Sequence, residues 1–110
     1  MTNDELCLEC IRNLNLDEID ETKSQISSLL QQAQAVLTNA INTDVPMEET
    51  YLNDHLFIAA CEALTTQMFY DRILENNISL GIQMMIVQLQ ARYANYQPKV
   101  ENGGDSNGNA

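Results

Sequence analysis

The chain has no tryptophan, three cysteines, two prolines and four glycines in 110 residues, and five Lys and Arg against sixteen Asp and Glu. Each shortage excludes something. With Gly and Pro scarce, the frequent turn signals of an all-β chain are missing, which leaves a mainly helical domain. Five scattered cations cannot form a basic stripe, so neither phosphate binding by counterion release nor docking on an anionic membrane surface fits. An odd number of cysteines argues against a disulfide framework. No apolar run of about 18 residues is long enough to span a bilayer, and no basic stretch leads into an apolar one near Met1. The expectation is a soluble protein made in the cytosol.

What is present is 45% hydrophobic residues and a formal charge of −11. That is enough for one domain with a modest core. A net stability of roughly 5–10 kcal/mol is usual at this size, and oligomerisation would add to it.

Apolar spacing sets out the elements. Leu6, Cys7, Cys10, Ile11 and Leu14 follow the i, i+3, i+4, i+7 pattern of a short first helix, with Asn3 as its N-cap and Asp4 and Glu5 in the first turn. From about Asp17 to Ile41, Ile26, Leu29, Leu30, Ala33, Leu37, Ala40 and Ile41 make one broad stripe on a long second helix. Asn42-Thr43-Asp44-Val45-Pro46 breaks it. A third helix is predicted from about Leu52 to Glu75. One stripe holds Leu52, Leu56, Ala59, Ala60, Ala63, Tyr70 and Leu74; a second, about 100° away, holds Phe57, Cys61, Leu64 and Met68. A band this wide belongs either to a central helix wrapped by the others or to a subunit interface, and the second stripe is the candidate interface. Asn76-Asn77 reads as a turn. Ile82, Met85, Ile86, Leu89 and Tyr93 keep helical spacing in the last block, although Ile78 to Val87 also fits a strand. Residues 1–97 form the expected helical domain, and 98–110, polar and Gly-rich, a flexible tail.

Candidate chemistry is thin. Cys7-Leu8-Glu9-Cys10 has the C-x-x-C spacing of zinc and thiol–disulfide sites, and the only tetrad available to zinc adds His55 and Cys61. Six positions apart on a helix, His55 and Cys61 point about 120° apart and cannot share one metal. No βαβ context precedes Cys7, and Glu5 and Glu9 would raise rather than lower a thiol pKa. The cysteines therefore read as small hydrophobes on a buried face. His55, beside Asp54 and Glu62, lacks a nucleophile at a motif position to activate. Asp17, Glu18, Asp20 and Glu21 lack the order of a calcium loop and read as a solvated helix start. Phe69, Tyr70, Asp71 and Arg72 are a candidate structural corner, with the Tyr70 ring buried and Arg72 bonding nearby carbonyls or acids. Neither a phosphate loop nor a nucleotide fingerprint occurs. No catalytic residue, cofactor or metal site is predicted.

In order and length the pattern resembles the small head–tail connector proteins of tailed bacteriophages, also called adaptor or head-completion proteins. The resemblance runs from about Glu5 to Tyr93. It rests on the short helix ending Ile11-Arg12-Asn13-Leu14, the acidic start and long helix with Ile26, Leu29, Leu30, Ala33 and Val36, the Ala-rich helix ending Met68-Phe69-Tyr70-Asp71-Arg72, and the final stretch Ile82 to Arg92 with Gln88-Leu89-Gln90. Cys7 and Cys10 are not part of that pattern.

The resemblance implies an all-α, non-enzymatic virion protein at the head–tail interface. About a dozen copies would form a ring docked beneath the portal protein, extending the DNA channel and receiving the next connector or the tail. Duplex DNA would pass an acidic channel wall without specific binding, and no membrane is involved. From another class, the same acidity suits a helical inhibitor or DNA mimic that occupies the basic groove of a host protein.

Overall fold

The computed structural model describes residues 1–71 and 78–97. In these, the chain forms four α-helices and a 3-10 turn: α1 Asn3–Asn13, α2 Asp20–Ile41, the turn Tyr51–Asn53, α3 His55–Tyr70 and α4 Leu80–Tyr93. The all-α fold read from the periodicity is the fold observed, and Ile78–Val87 resolves to helix from Leu80 onward.

The boundaries follow from capping chemistry. α1 is capped by Thr2, not Asn3: the Thr2 hydroxyl accepts from the Glu5 amide at 3.1 Å, and the Glu5 carboxylate accepts from the Thr2 amide at 2.8 Å. This reciprocal box satisfies two otherwise orphaned donors. At the other end Asn15 adopts the left-handed conformation, φ 57°. The Leu16 amide reaches back to the Ile11 carbonyl and the Asn15 amide to that of Arg12, at 3.1 and 3.0 Å. These are the two bonds of a Schellman ending, with asparagine where glycine is commoner. The turn uses up the residues before Asp17, and the Arg12 guanidinium pairs with Glu18 at 3.1 Å beyond it. α2 accordingly starts at Asp20, three residues later than the acid run suggests.

The third helix also starts later than its apolar pattern. Tyr51 and Leu52 belong to the 3-10 turn, and Asp54 is extended, φ −103° and ψ 111°. Its carboxylate caps α3 by accepting from the amides of Leu56 and Phe57. α3 ends at Tyr70; the predicted continuation to Glu75, with Arg72 and Leu74, and the Asn76-Asn77 turn lie outside the described residues, as does the tail from Pro98.

α3 is the central element, packed against α1, α2, α4 and the 3-10 turn. That wrapping corrects the interface expectation. Phe57, Cys61 and Leu64 have no exposed surface, and Met68 has 7%. A side chain already enclosed by three neighbouring helices has nothing left to offer a second subunit, so this stripe is core. The first stripe is the one that partly emerges: Ala59 is exposed and Tyr70 is 73% exposed. The proposed corner is corrected as well. Phe69 and Tyr70 meet edge to face at 5.2 Å, but the Tyr70 ring stands in solvent, and Arg72 lies outside the described residues.

The rest of the core is Leu6, Cys10 and Ile11 from α1, Ile26, Leu30, Ala33 and Leu37 from α2, Tyr51 and Leu52 from the turn, and Ile82, Leu89 and Tyr93 from α4. Phe57 lies at its centre, stacked on Tyr51 with ring centroids 4.3 Å apart. Truncating it removes both burial and stacking. Phe57→Ala is expected to lower the unfolding free energy by about 3–5 kcal/mol in urea titrations. A loss under about 1 kcal/mol would place Phe57 at a surface after all.

Candidate functional site

Three places carry the polar and surface chemistry of this domain: a buried carboxylate at one end of the bundle, a carboxyl pair between α1 and α3, and the outer faces of α2 and α4.

Asp54 is the buried carboxylate, 8% exposed. Besides the two α3 amides, it accepts from Arg92 Nη1, 2.7 Å from each oxygen, and from the Tyr93 hydroxyl at 2.6 Å. Burial works to raise its pKa, but the Tyr93 hydroxyl, the Arg92 guanidinium and the two amides outweigh it and hold it below the usual carboxylate value. Both oxygens are engaged, so the group serves as a structural anchor rather than a free base. The stability it supplies is present above the ordinary Asp range and is lost as acid titrates the folded carboxylate.

A second set of bonds closes the same corner. The Tyr51 hydroxyl donates to the Asn42 carbonyl at 2.6 Å, and the Asn42 side-chain amide donates to the Tyr93 carbonyl at 2.9 Å. Tyr51 and Tyr93 meet edge to face at 5.2 Å. Burial pushes both phenols up to about 12, for Tyr93 with help from the Asp54 charge. Both therefore stay protonated donors. The C-terminal ends of α2 and α4 and the start of α3 thus meet in one network.

Between α1 and α3, Glu62 faces Glu9. Burial first, then the Glu9 carboxyl, pushes Glu62 up to about 7. Two ionised carboxylates cannot donate to one another, and Glu62 Oε2 is buried with no hydrogen-bond partner. Protonated, Glu62 can donate a hydrogen bond that its ionised form cannot make.

The cysteines occupy the apolar positions read from the sequence. Cys7 is 8% and Cys10 1% exposed, and all three are free thiols. The Cys7 thiol donates to the Lys23 carbonyl at 3.7 Å. Burial, then Glu62, Cys7 and Glu9, push the Cys10 thiol up to about 12, and burial with Cys10 and Glu62 raises Cys61. Thiols held this way are poor nucleophiles. His55 stands exposed as the first residue of α3, away from that cluster. Among the described residues no group of His, Cys, Asp and Glu is arranged to hold a metal ion, and no helix is long and apolar enough to cross a membrane.

The surface is uneven. α4 buries Ile82, Leu89 and Tyr93, yet Leu80 is 71%, Met84 57% and Val87 61% exposed. These three sit at i, i+4 and i+7 and form one row, flanked by Gln83 and Gln88. The row was not singled out from the sequence, because the whole segment reads as apolar and period alone does not say which side faces in.

Comparison of the chain with models of protein families, with curated proteins and with solved structures finds no match.

The Glu9–Glu62 pair sets the sign of a pH effect. Glu62 holds its proton to about pH 7 when folded but releases it near 4.5 when unfolded, so its contribution is lost as pH rises between those values. In thermal melts, the stability of the wild-type chain relative to Glu62→Gln is expected to fall between pH 5 and 8, with the Gln variant the more stable at pH 8. Parallel pH profiles for the two proteins would show that burial beside Glu9 does not hold a proton on Glu62.

Proposed function

We propose that the chain is a structural virion protein, a head–tail connector that assembles as a ring beneath the portal, extends the DNA channel and joins capsid to tail. The observation that carries the reading is the exposed row Leu80, Met84 and Val87 on an otherwise acidic, well-packed helical domain. A folded protein that leaves large apolar side chains aligned on one helix offers a surface for assembly rather than a reaction centre. The helix order supports the same reading: a short α1, a long α2, an Ala-rich α3 ending Met68-Phe69-Tyr70 and an α4 containing Gln88-Leu89-Gln90 are among the elements on which the resemblance to connectors rests.

The charge has a physical use in that setting. Exposed Asp17, Glu18, Asp20 and Glu21 at the start of α2 add to a net −11. A wall of that sign repels phosphates and lets duplex DNA slide without being pinned.

Size-exclusion chromatography with light scattering, on the chain alone and with purified portal rings, tests the reading. The chain is expected to co-elute with portal rings and to leave added duplex DNA unbound. A chain that never joins portal rings but is captured by a basic DNA-binding protein would establish the DNA-mimic alternative instead.

A further inference from the structure

The first helix is held to its two neighbours in different ways. Toward α2 and the residues leading into it, α1 has polar ties: Gln34 Nε2 donates to Asn3 Oδ1 at 2.7 Å, the Cys7 thiol donates to the Lys23 carbonyl, and Arg12 pairs with Glu18. Toward α3 the seam is apolar packing, with Leu6, Cys10 and Ile11 at most 1% exposed. Two oxygens on the α3 side, Glu62 Oε2 and Thr65 Oγ1, are buried with no hydrogen-bond partner. They lie three residues apart, so they share a face, and Cys10 and Glu9 of α1 lie against it. Residues 14–19 alone join α1 to α2.

Glu62 is the group at this seam whose charge changes near neutral pH. With its proton it can donate to Glu9. Without it, Glu62 is an enclosed charge facing a second carboxylate, and hydrating Oε2 means moving what covers it. Facing Glu62 are Glu9 and the Cys10 thiol on α1 and the Cys61 thiol on its own helix. His55, two turns earlier on α3, is about 10 Å away along the axis. Past Lys23, which acts on Cys7, α2 carries no charged side chain, and the charge of α4, Arg92, is bonded to Asp54. No cation is placed to stabilise the ionised form.

We propose that Glu9 and Glu62 form a pH-sensitive latch: loss of the proton from Glu62 releases α1, which lifts off α3 as a separate unit about the connection at residues 14–19 and uncovers Cys10, Cys61 and the apolar seam around them. The latch is independent of the connector reading. Its direction follows from linkage: a proton held in the closed form and given up in the open one favours closure in acid, and that advantage fades as pH rises.

Native-state hydrogen exchange of the full chain from pH 5 to 8, corrected for the intrinsic pH dependence of exchange, tests the latch in wild type, Glu62→Gln and Glu9→Gln. Either glutamine has an amide that can donate to the carboxylate opposite, so both variants close the seam without a proton. Once lifted, an eleven-residue helix is marginal in water, so its amides report the opening. Relative to Glu62→Gln, wild-type protection at amides 6–13 is expected to fall about tenfold per pH unit from pH 5 to 7 and then level off, with a smaller fall in Glu9→Gln. At pH 8 the wild-type α1 amides should be at least about tenfold less protected than those at the centre of α2. Iodoacetamide should then alkylate Cys10 at least about tenfold faster in wild type than in Glu62→Gln. Equal protection of α1 and α2 at pH 8 would overturn the proposal, since α1 would then leave only when the whole domain unfolds. So would parallel α1 profiles, or equal Cys10 alkylation, in wild type and Glu62→Gln, because Glu62 would then ionise without moving the helix.

Discussion

A carboxylate with 8% of its surface exposed, as Asp54 has, can stay ionised only if its environment replaces the water it has lost. Here the replacement comes from two parts of the chain at once: the first amides of α3, and at the end of α4 the Arg92 guanidinium and the Tyr93 hydroxyl. This requirement governs α4 more than any other element. Its sequence is apolar on most sides, so burial of hydrophobic surface by itself leaves its rotation poorly specified. The polar contacts specify it. With Arg92 and Tyr93 tied to Asp54, the Tyr93 carbonyl to Asn42, and Gln90 Nε2 bonded to the Ala40 carbonyl at 2.8 Å, Ile82 and Leu89 must turn inward. Leu80, Met84 and Val87 are then left outside.

The buried corner and the exposed ridge are thus two consequences of one arrangement. A ridge of this kind on a freely rotating helix would collapse inward, since burying it is favourable by about 25 cal/mol per Å² of apolar surface. Anchored, it stays exposed. No acid falls in α2 beyond Glu21 or anywhere in α4, which leaves the outer sides of α2 from Ser24 onward and of α4 up to Ala91 uncharged. Acidic and uncharged apolar surface are thus carried by different parts of the domain.

Much of the fold is legible in the sequence because period-3.6 patterns are long and turns are few. All four helices are visible, and Cys7 and Cys10 are found on a buried face because their neighbours Leu6, Ile11 and Leu14 set the stripe. What is hidden is hidden for stated reasons. Thr2 competes with Asn3 as a cap, and only the glutamate at position 5 marks the box. Asp54 follows a run that looks helical from Leu52, so the break it imposes is masked, although an Asn-Asp pair ahead of an apolar run is a start signal. Its partners Arg92 and Tyr93 lie nearly forty positions away, a separation no local pattern encodes. The width of the α3 apolar band is legible, but width alone does not distinguish a wrapped helix from an interface: Phe57, Cys61, Leu64 and Met68 are core, and the aligned row of exposed apolar side chains is on α4.

Native-state hydrogen exchange, comparing the wild-type chain with Asp54→Asn, tests the central claim most directly. Asparagine still caps α3 but removes the charge that holds Arg92 and the acceptor that receives the Tyr93 hydroxyl. If Asp54 fixes α4 against the domain, the amides from Ile86 to Tyr93 lose protection in the variant by a larger factor than those in the centre of α2, because α4 opens as a separate unit. Loss of protection in equal measure along α2 and α4 would contradict the account, since it would mean that apolar packing alone holds the last helix in place.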